Sequence, residues 1–266
     1  MKYQGNIIKM KSSLAEPVEY VLPIGDKHIA LNKFIHQKII LTYLHQINCI
    51  SCGNKTNKSF GQGFCYTCFT ESPQASECVL HPDKCKAHLG ISRDQEWAND
   101  HCLQPHVVYL AVSSNLKVGI TRKTQIPTRW IDQGASRAII VAETPNRHIA
   151  GTIEKFLMQF YSDKTSWQGM LKGKIEQINL HSEKEKAYHY LPNELKQYCT
   201  SDNNISEIHF PVDQYPTKIS SLSFDKSEKI EGILTGIKGQ YLLLDNSFVL
   251  NIRKHNGYLI EIETPE

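Results

Sequence analysis

Residues 107–122 read VVYLAVSSNLKVGITR, and this stretch decides the fold predicted for the middle of the chain. Two apolar runs, residues 107–112 and 116–120, flank a polar Ser-Ser-Asn turn. Short apolar runs separated by turn residues are typical of a β-hairpin. The stretch therefore predicts a hairpin, and the residues downstream bear on whether that hairpin carries a functional site.

A helix, a strand and a second helix are predicted after the hairpin. The segment TQIPTRWIDQGA (124–135) has Pro127 near its start and Gly134 at its end, as short helices often do. RAIIVAET (137–144) is β-branched and apolar, and RHIAGTIEKFLMQFY (147–161) has the apolar spacing of an amphipathic helix. The order β-β-α-β-α predicts a small α/β domain.

The rest of the chain predicts an α+β protein in which that domain is flanked by other segments. The C-terminal strands resemble a small barrel or sandwich, which could close with strands from the N-terminal segment. The predicted segments are a β-rich N-terminal segment (1–47), a cysteine- and histidine-rich module (48–104), the α/β domain (105–175), a polar connecting helix or linker (176–205) and a C-terminal β domain (206–266).

Composition narrows the class of protein without assigning a function. The 266 residues are 40% hydrophobic and 21% charged, a normal globular mix, and the formal net charge is +3. No apolar run approaches the 18 residues or so of a membrane span, and the N-terminus lacks the apolar stretch of a signal peptide. A cytoplasmic location without membrane association is the expectation, while the oligomeric state is left open.

Two Cys-x-x-Cys pairs predict a structural zinc site. Twelve residues separate the pairs, which are Cys49 with Cys52 and Cys65 with Cys68. Each pair lets two thiolates face one ion, and two pairs complete the tetrahedral shell that Zn²⁺ prefers. All four positions would be filled by protein, so the site should be structural and not catalytic. Unrelated surface thiols or a redox pair are the alternative.

A second constellation downstream predicts another zinc site with a less certain ligand set. Cys78 and His81 form a Cys-x-x-His pair, Cys85 follows, and Cys102 is the expected closing ligand. His88 or His101 could serve in its place. Ordinary loop histidines are the alternative.

The hairpin and its downstream elements resemble the GIY-YIG nuclease superfamily across residues 107–160. Val107-Val108-Tyr109 stands at the first motif and Lys117-Val118-Gly119 at the second, Arg129 lies on the following helix, and Glu154 lies on the later one. More narrowly, KVGITR, RWIDQGA and GIKGQYLLL resemble an uncharacterised bacterial family that combines N-terminal cysteine clusters, a GIY-YIG-like core and a C-terminal β region. Lys117 replaces the second motif's tyrosine. The final polar residue of the superfamily, often Asn, has only approximate counterparts, which are Lys164, Thr165 and Trp167.

The resemblance implies a Mg²⁺-dependent endonuclease acting on DNA or RNA. Glu154 would hold the Mg²⁺, Arg129 would bind phosphate oxygens, and Tyr109, with Lys117, would orient or deprotonate the attacking water. Arg122 and Lys123 would add contacts to nucleic acid together with Lys117 and Arg129.

Two features of the residues themselves bear on this hypothesis. The neighbours of Glu154 at helical spacing cannot form an ion pair with it; they are Ala150, Gly151, Leu157 and Met158. Residues 105–155 contain seven Lys and Arg against three Asp and Glu, so basic charge is concentrated there. A structural pair of Glu154 with Arg129 stays open as the alternative.

Two functions without catalysis stay open as well. The same basic face could bind nucleic acid without cutting it, with further contacts from Lys238 and Arg253. A zinc-stabilised protein-interaction module is the other alternative.

Overall fold

The computed structural model describes residues 1–265, and its mixed composition of strands and helices confirms the α+β prediction. The strands are Lys2–Asn6 (β1), Lys11–Ser13 (β2), Glu19–Ile24 (β3), Lys27–Ala30 (β4), Lys38–Asn48 (β5), Lys55–Thr56 (β6), His106–Val112 (β7), Leu116–Arg122 (β8), Arg137–Thr144 (β9), Ile205–Glu207 (β10), Ser220–Leu222 (β11), Lys229–Lys238 (β12), Tyr241–Leu244 (β13), Phe248–Asn251 (β14) and Tyr258–Glu263 (β15). The α-helices are Tyr66–Glu71 (α1), Gln95–His101 (α2), Thr128–Asp132 (α3), Arg147–Leu157 (α4), Trp167–Leu171 (α5), Leu180–Tyr190 (α6) and Asn193–Lys196 (α7).

The chain divides into two compact units. The first unit contains Met1–Thr70, the short segment Leu171–Gly173 and the chain from Ile208 onward. The second unit contains Glu71–Met170 and Lys174–Glu207. The two cysteine clusters, which the sequence places in one region, therefore lie in different units.

The first unit is built on an eight-stranded sheet that joins the two ends of the chain. Its strand order is β1-β15-β5-β12-β13-β14-β11, and β6 pairs with β5 outside this path. The long strand β5 alternates buried Ile39 and Leu41 with more exposed residues, which is the pattern of a strand with one face in a core. Its neighbours β12 and β15 come from the C-terminal region, so strands from both ends do share one sheet.

Of the two arrangements predicted for the C-terminal region, a barrel or a sandwich, the closed barrel is wrong. A barrel requires the two edge strands of a sheet to pair with each other. Here β1 pairs with β15 and β11 pairs with β14, and within residues 1–265 no closed barrel forms. A separate three-stranded sheet, β2-β3-β4, completes the strands of this unit.

The second unit is built on the predicted hairpin. Strands β7 and β8 pair antiparallel from His106 opposite Arg122 to Val112 opposite Leu116, so the turn falls on Ser-Ser-Asn as expected. The sheet order is β10-β9-β7-β8 and all neighbours are antiparallel. Because β7 lies inside the sheet, all seven of its residues are buried, which explains its continuous apolar run.

Helices α3 and α4 follow their predicted patterns. Helix α3 begins after Pro127, and Gly134 just beyond it has a φ of +67°. Helix α4 buries Ile153 and Leu157 in the core of the second unit, and the Asn146 side chain accepts a hydrogen bond from the Ile149 backbone N–H at its start.

No helix within residues 1–265 combines the length and the apolar character needed to cross a bilayer.

Candidate functional site

The first cysteine cluster has the geometry of a four-thiolate metal site. The four Sγ atoms all lie within 4.8 Å of one another, and they belong to Cys49, Cys52, Cys65 and Cys68. The Sγ atoms of Cys52 and Cys65 are 3.9 Å apart. Four thiolates placed about 2.3 Å from a tetrahedral Zn²⁺ are separated by about 3.8 Å. The donor set and its spacing therefore fit zinc.

Backbone amides stabilise the thiolate form in this cluster. Burial raises the pKa of the Cys49 thiol, but the backbone N–H groups of Cys52, Cys65 and Ser51 lower that pKa, to about 6 overall. The Cys68 backbone N–H donates to the Cys65 Sγ at 3.5 Å. Because the thiolate is the form that binds metal, these amides favour metal binding.

The second cluster contains three cysteines. The Sγ atoms of Cys78, Cys85 and Cys102 lie within 4.8 Å of one another. The predicted ligand His81 lies outside this group, because its exposed side chain is at the start of the short 3-10 helix Pro82–Lys84 and does not reach the sulfur atoms. The three thiols are compatible with zinc, and no fourth Cys, His, Asp or Glu within residues 1–265 joins them.

Helix α4 is attached to the second cluster at its N-terminus. The Arg147 backbone N–H donates to the Cys102 carbonyl at 2.8 Å. Its guanidinium donates to the carbonyls of Cys78 at 3.2 Å and His101 at 3.1 Å. Arg147 therefore joins the cysteine cluster to the helix that carries Glu154.

Tyr109 is the most buried of the four residues predicted to be catalytic. It lies directly opposite Gly119 in the hairpin and is fully buried. Its hydroxyl donates to the Gln133 Oε1 at 2.8 Å, and its ring packs edge-to-face against Trp130 with centroids 5.8 Å apart. Burial raises the pKa of the Tyr109 phenol, while the charge of nearby Arg129 opposes that shift.

Lys117 is an almost fully buried lysine, with 4% of its surface exposed. Burial and the positive charge of Arg129 lower the pKa of its ammonium, while Glu154 and Asp163 act in the opposite direction; the net pKa is about 7. Among residues 1–265 its ammonium has no hydrogen bond or ion pair. A neutral lysine at neutral pH can accept a proton, and a charged one can bind an anion.

Glu154 interacts with the same charges. Burial raises the pKa of its carboxyl to about 7, Arg129 opposes the shift, and the carboxylate of Asp163 adds to it. The charges of Lys117 and Glu154 also act on each other. Tyr109, Lys117, Arg129 and Glu154, which come from β7, β8, α3 and α4, are therefore brought together.

Three other predicted nucleic-acid contacts are engaged elsewhere or buried. Arg122 donates to the Asp100 carbonyl at 3.3 Å, and exposed Lys123 forms an ion pair with Glu143 at 2.7 Å. Lys238, expected on a surface, is fully buried in the first unit, where its ammonium lies 4.7 Å from the centre of the Tyr215 ring and donates to the Tyr215 hydroxyl at 3.2 Å. The expectation that Lys238 lies on a surface is corrected accordingly, because its ammonium is enclosed against the rings of Phe210 and Tyr215.

Two residues of the site were missed by sequence reasoning. Gln133 follows Arg129 by four positions, so helical spacing could have placed it on the same face. Asp163 lies in the polar segment SDKTSW, where Lys164, Thr165 and Trp167 had drawn attention; no local pattern distinguishes it.

Comparison with known proteins gives one family. Residues 36–260 match a family model described as "Protein of unknown function (DUF2797)". No curated protein and no solved structure matches the chain. Because the family model covers most of the chain, the chain belongs to this family.

Proposed function

We propose that this member of the DUF2797 family binds nucleic acid and hydrolyses its phosphodiester bonds at Tyr109, Lys117, Arg129 and Glu154. The observation that carries the proposal is electrostatic. The charge of Arg129 acts on the pKa of Tyr109, Lys117 and Glu154, and the charges of Lys117 and Glu154 act on each other. Groups whose pKa values are shifted by burial and by a specific charged partner are typical of catalytic sites.

Arg129 is the phosphate-binding residue in this proposal. A guanidinium can donate two parallel hydrogen bonds to non-bridging phosphate oxygens, which positions the phosphate as well as neutralising it. Arg129 acts electrostatically on both the Tyr109 phenol and the Glu154 carboxyl, so a phosphate bound to Arg129 would lie near both groups.

Lys117 takes the role of the base in this proposal. With a pKa of about 7, a large fraction of Lys117 is neutral at neutral pH and able to take a proton from water. The pKa of Tyr109 is raised, so its phenol remains protonated; because that proton is donated to Gln133, the phenol oxygen would orient the water by accepting a hydrogen bond from it. The replacement of a motif tyrosine by Lys117 is therefore compatible with catalysis.

Glu154 is the residue that would hold a divalent cation. Its desolvated carboxylate lies near a second carboxylate, that of Asp163, whose negative charge adds to the rise in the pKa of Glu154. Carboxylate oxygens are ligands that Mg²⁺ prefers, and a bound Mg²⁺ would supply charge stabilisation of the leaving oxygen. Glu154 would then bind the cation in place of its own proton.

The resemblance to the GIY-YIG nucleases supports the same assignment. The hairpin, the helix with Arg129, the third strand and the helix with Glu154 occur in the order of that superfamily. The resemblance implies a nuclease, while the charges of the site supply an independent physical reason.

Cleavage assays of the zinc-loaded chain test the proposal. Single-stranded and double-stranded DNA and RNA are incubated with and without Mg²⁺, and wild type is compared with Glu154→Ala and Arg129→Ala. Lys186→Ala is the matched control, because Lys186 is a surface cation paired with Glu183. We expect Mg²⁺-dependent cleavage that both site variants abolish and the control retains.

The opposite results overturn the proposal in different ways. Cleavage that persists in Glu154→Ala would place the activity elsewhere. Salt-dependent binding without any cleavage by the wild type would make this a binding module and not an enzyme.

A further inference from the structure

The second cysteine cluster forms part of the wall of a cavity of about 450 Å³. All three of its cysteines line this cavity, and their sulfur atoms lie within 4.8 Å of one another. Cavities of roughly 300–1,000 Å³ are typical of small-molecule sites. The first cluster, by contrast, supplies four thiolates to one ion and needs no further ligand.

The histidines near the second cluster are engaged away from the sulfur atoms. His88 stacks on His148 with ring centroids 4.4 Å apart. The Nδ1 of His101 is 2.9 Å from the Trp97 carbonyl, and its ring stacks on the Trp97 indole at 4.3 Å. With His81 exposed and outside the group, three thiolates are the donors that these residues offer to a metal.

A tetrahedral zinc ion on three thiolates directs its fourth coordination position away from the plane of the sulfur atoms. Zinc sites with three protein ligands keep that position for water or for an external ligand. Because all three cysteines line one cavity, the cavity is where such a ligand can be accommodated.

The charge of the cavity favours an anion as that ligand. Lys84, Lys86 and Arg93 line the wall together with one acid, Glu77, which pairs with Lys84. Those four side chains carry a formal charge of +2, and Zn²⁺ with three thiolates carries −1. The guanidinium of Arg147, which lies 4.0 Å from the Cys78 Sγ, adds a further positive charge, so the balance is positive and favours an anionic ligand. Trp97 and Ile91 add an apolar part of the wall for a carbon chain.

We propose that Cys78, Cys85 and Cys102 hold zinc in an open site whose fourth ligand is a small thiolate taken up from solution. A thiolate satisfies the preference of zinc for sulfur and supplies a negative charge. The zinc–sulfur bond forms as the incoming thiol loses its proton to solvent and displaces a bound water. This site lies outside the group around Tyr109, and its assignment does not depend on nuclease activity.

Cobalt substitution tests the proposal on the full chain. The chain is loaded with Co²⁺, whose visible absorption reports its ligands, and is titrated with 2-mercaptoethanol while bound cobalt is counted by dialysis. We expect a saturable spectral change at one cobalt of the two, with no loss of cobalt. The His81→Ala variant should show the same change.

Two results overturn the proposal. The first is a wild-type spectrum that does not respond to 2-mercaptoethanol. The second is a response that appears only in His81→Ala, which would identify His81 as the fourth ligand. Cys102→Ser assigns the signal, because it should bind one cobalt, at the first cluster, and show no response.

Discussion

Tyr109 and Gly119 face each other across the hairpin so closely that a Cβ at position 119 would stand 2.7 Å from the Tyr109 hydroxyl. Position 119 must therefore be glycine, because any side chain there would overlap the Tyr109 phenol. The same hydroxyl donates to Gln133 at 2.8 Å, so the position of the phenol is fixed from two sides.

We expect Gly119→Ala to displace the phenol and destabilise the second unit by about 1–3 kcal/mol, the usual cost of overpacking a core. Urea unfolding followed by circular dichroism measures this loss. The double variant with Tyr109→Phe should recover part of it, because the closest atom, the hydroxyl, is then gone. Equal stability of Gly119→Ala and wild type would contradict the close approach.

Gly151 has a similar role between α4 and the second cysteine cluster. A Cβ there would overlap the Asp83 backbone nitrogen and the Pro82 carbonyl carbon. Alanine normally stabilises a helix by about 1 kcal/mol relative to glycine. At position 151 the overlap should turn this gain in stability into a loss.

We predict that Gly151→Ala destabilises the second unit by about 2 kcal/mol or more, because the backbone of Pro82 and Asp83 would have to move to admit the methyl group. The same movement should weaken zinc binding at Cys78, Cys85 and Cys102. Lys155→Ala is the control on the same helix, because it removes only the 2.6 Å ion pair with Asp83. That control should cost no more than about 1 kcal/mol. Zinc content and urea unfolding provide the two measurements, and a stabilised Gly151→Ala would refute the prediction.

The pH dependence of stability should separate Lys117 from Glu154. The pKa of Lys117 falls from 10.5 to about 7 on folding, so the unfolded chain binds more protons between those values and the penalty is fully present below pH 7. Lys117→Met should therefore raise the free energy of unfolding at pH 6, by on the order of 5 kcal/mol at 1.4 kcal/mol per unit, and the gain should disappear near pH 10.5.

Glu154→Gln should behave in the opposite sense. The pKa of Glu154 rises from 4.5 to about 7 on folding, so the folded chain binds more protons between those values and the penalty is fully present above pH 7. This variant should gain stability at pH 8 and lose the gain below pH 4.5. Parallel gains at every pH for both variants would show that burial does not shift the two groups as described.

Local patterns predicted more of the second unit than of the first. The hairpin, α3 and α4 follow from turn residues and apolar spacing within a few residues of each other. The sheet of the first unit depends on β5 pairing with β12, about 190 residues away in the sequence, and with β15, about 215 residues away, and no local pattern specifies that register.

The functional residues also differ in how far local sequence patterns could predict them. Cys49, Cys52, Cys65 and Cys68 were predictable because the ligand spacing of zinc is a short-range property of the chain. Asp163 acts on Glu154 only through the packing of the second unit, and Lys238 looked like a surface cation because its aromatic neighbours Phe210 and Tyr215 are distant in sequence.

The first cysteine cluster should maintain the order of its own loop. The loop has few buried apolar residues; Phe64, 6% exposed, is one of them. Its connection to the rest of the first unit includes hydrogen bonds from the Asn48 backbone N–H to Gly257 at 2.8 Å and from the Asn256 side chain to Gln62 at 2.9 Å. Metal binding supplies order that so small a core cannot.

We predict that Cys52→Ser lowers bound zinc from two ions per chain to one and removes hydrogen-exchange protection from residues 49–70, while β7 stays protected. Cys199→Ser is the matched control, since Cys199 belongs to neither cluster and should leave both zinc ions in place. Elemental analysis gives the zinc count and peptide-level exchange gives the protection. Because zinc and not a disulfide orders the loop in this account, a chelator should reproduce the exchange pattern of Cys52→Ser in the wild type, and a chelator-treated loop that stays protected would contradict it.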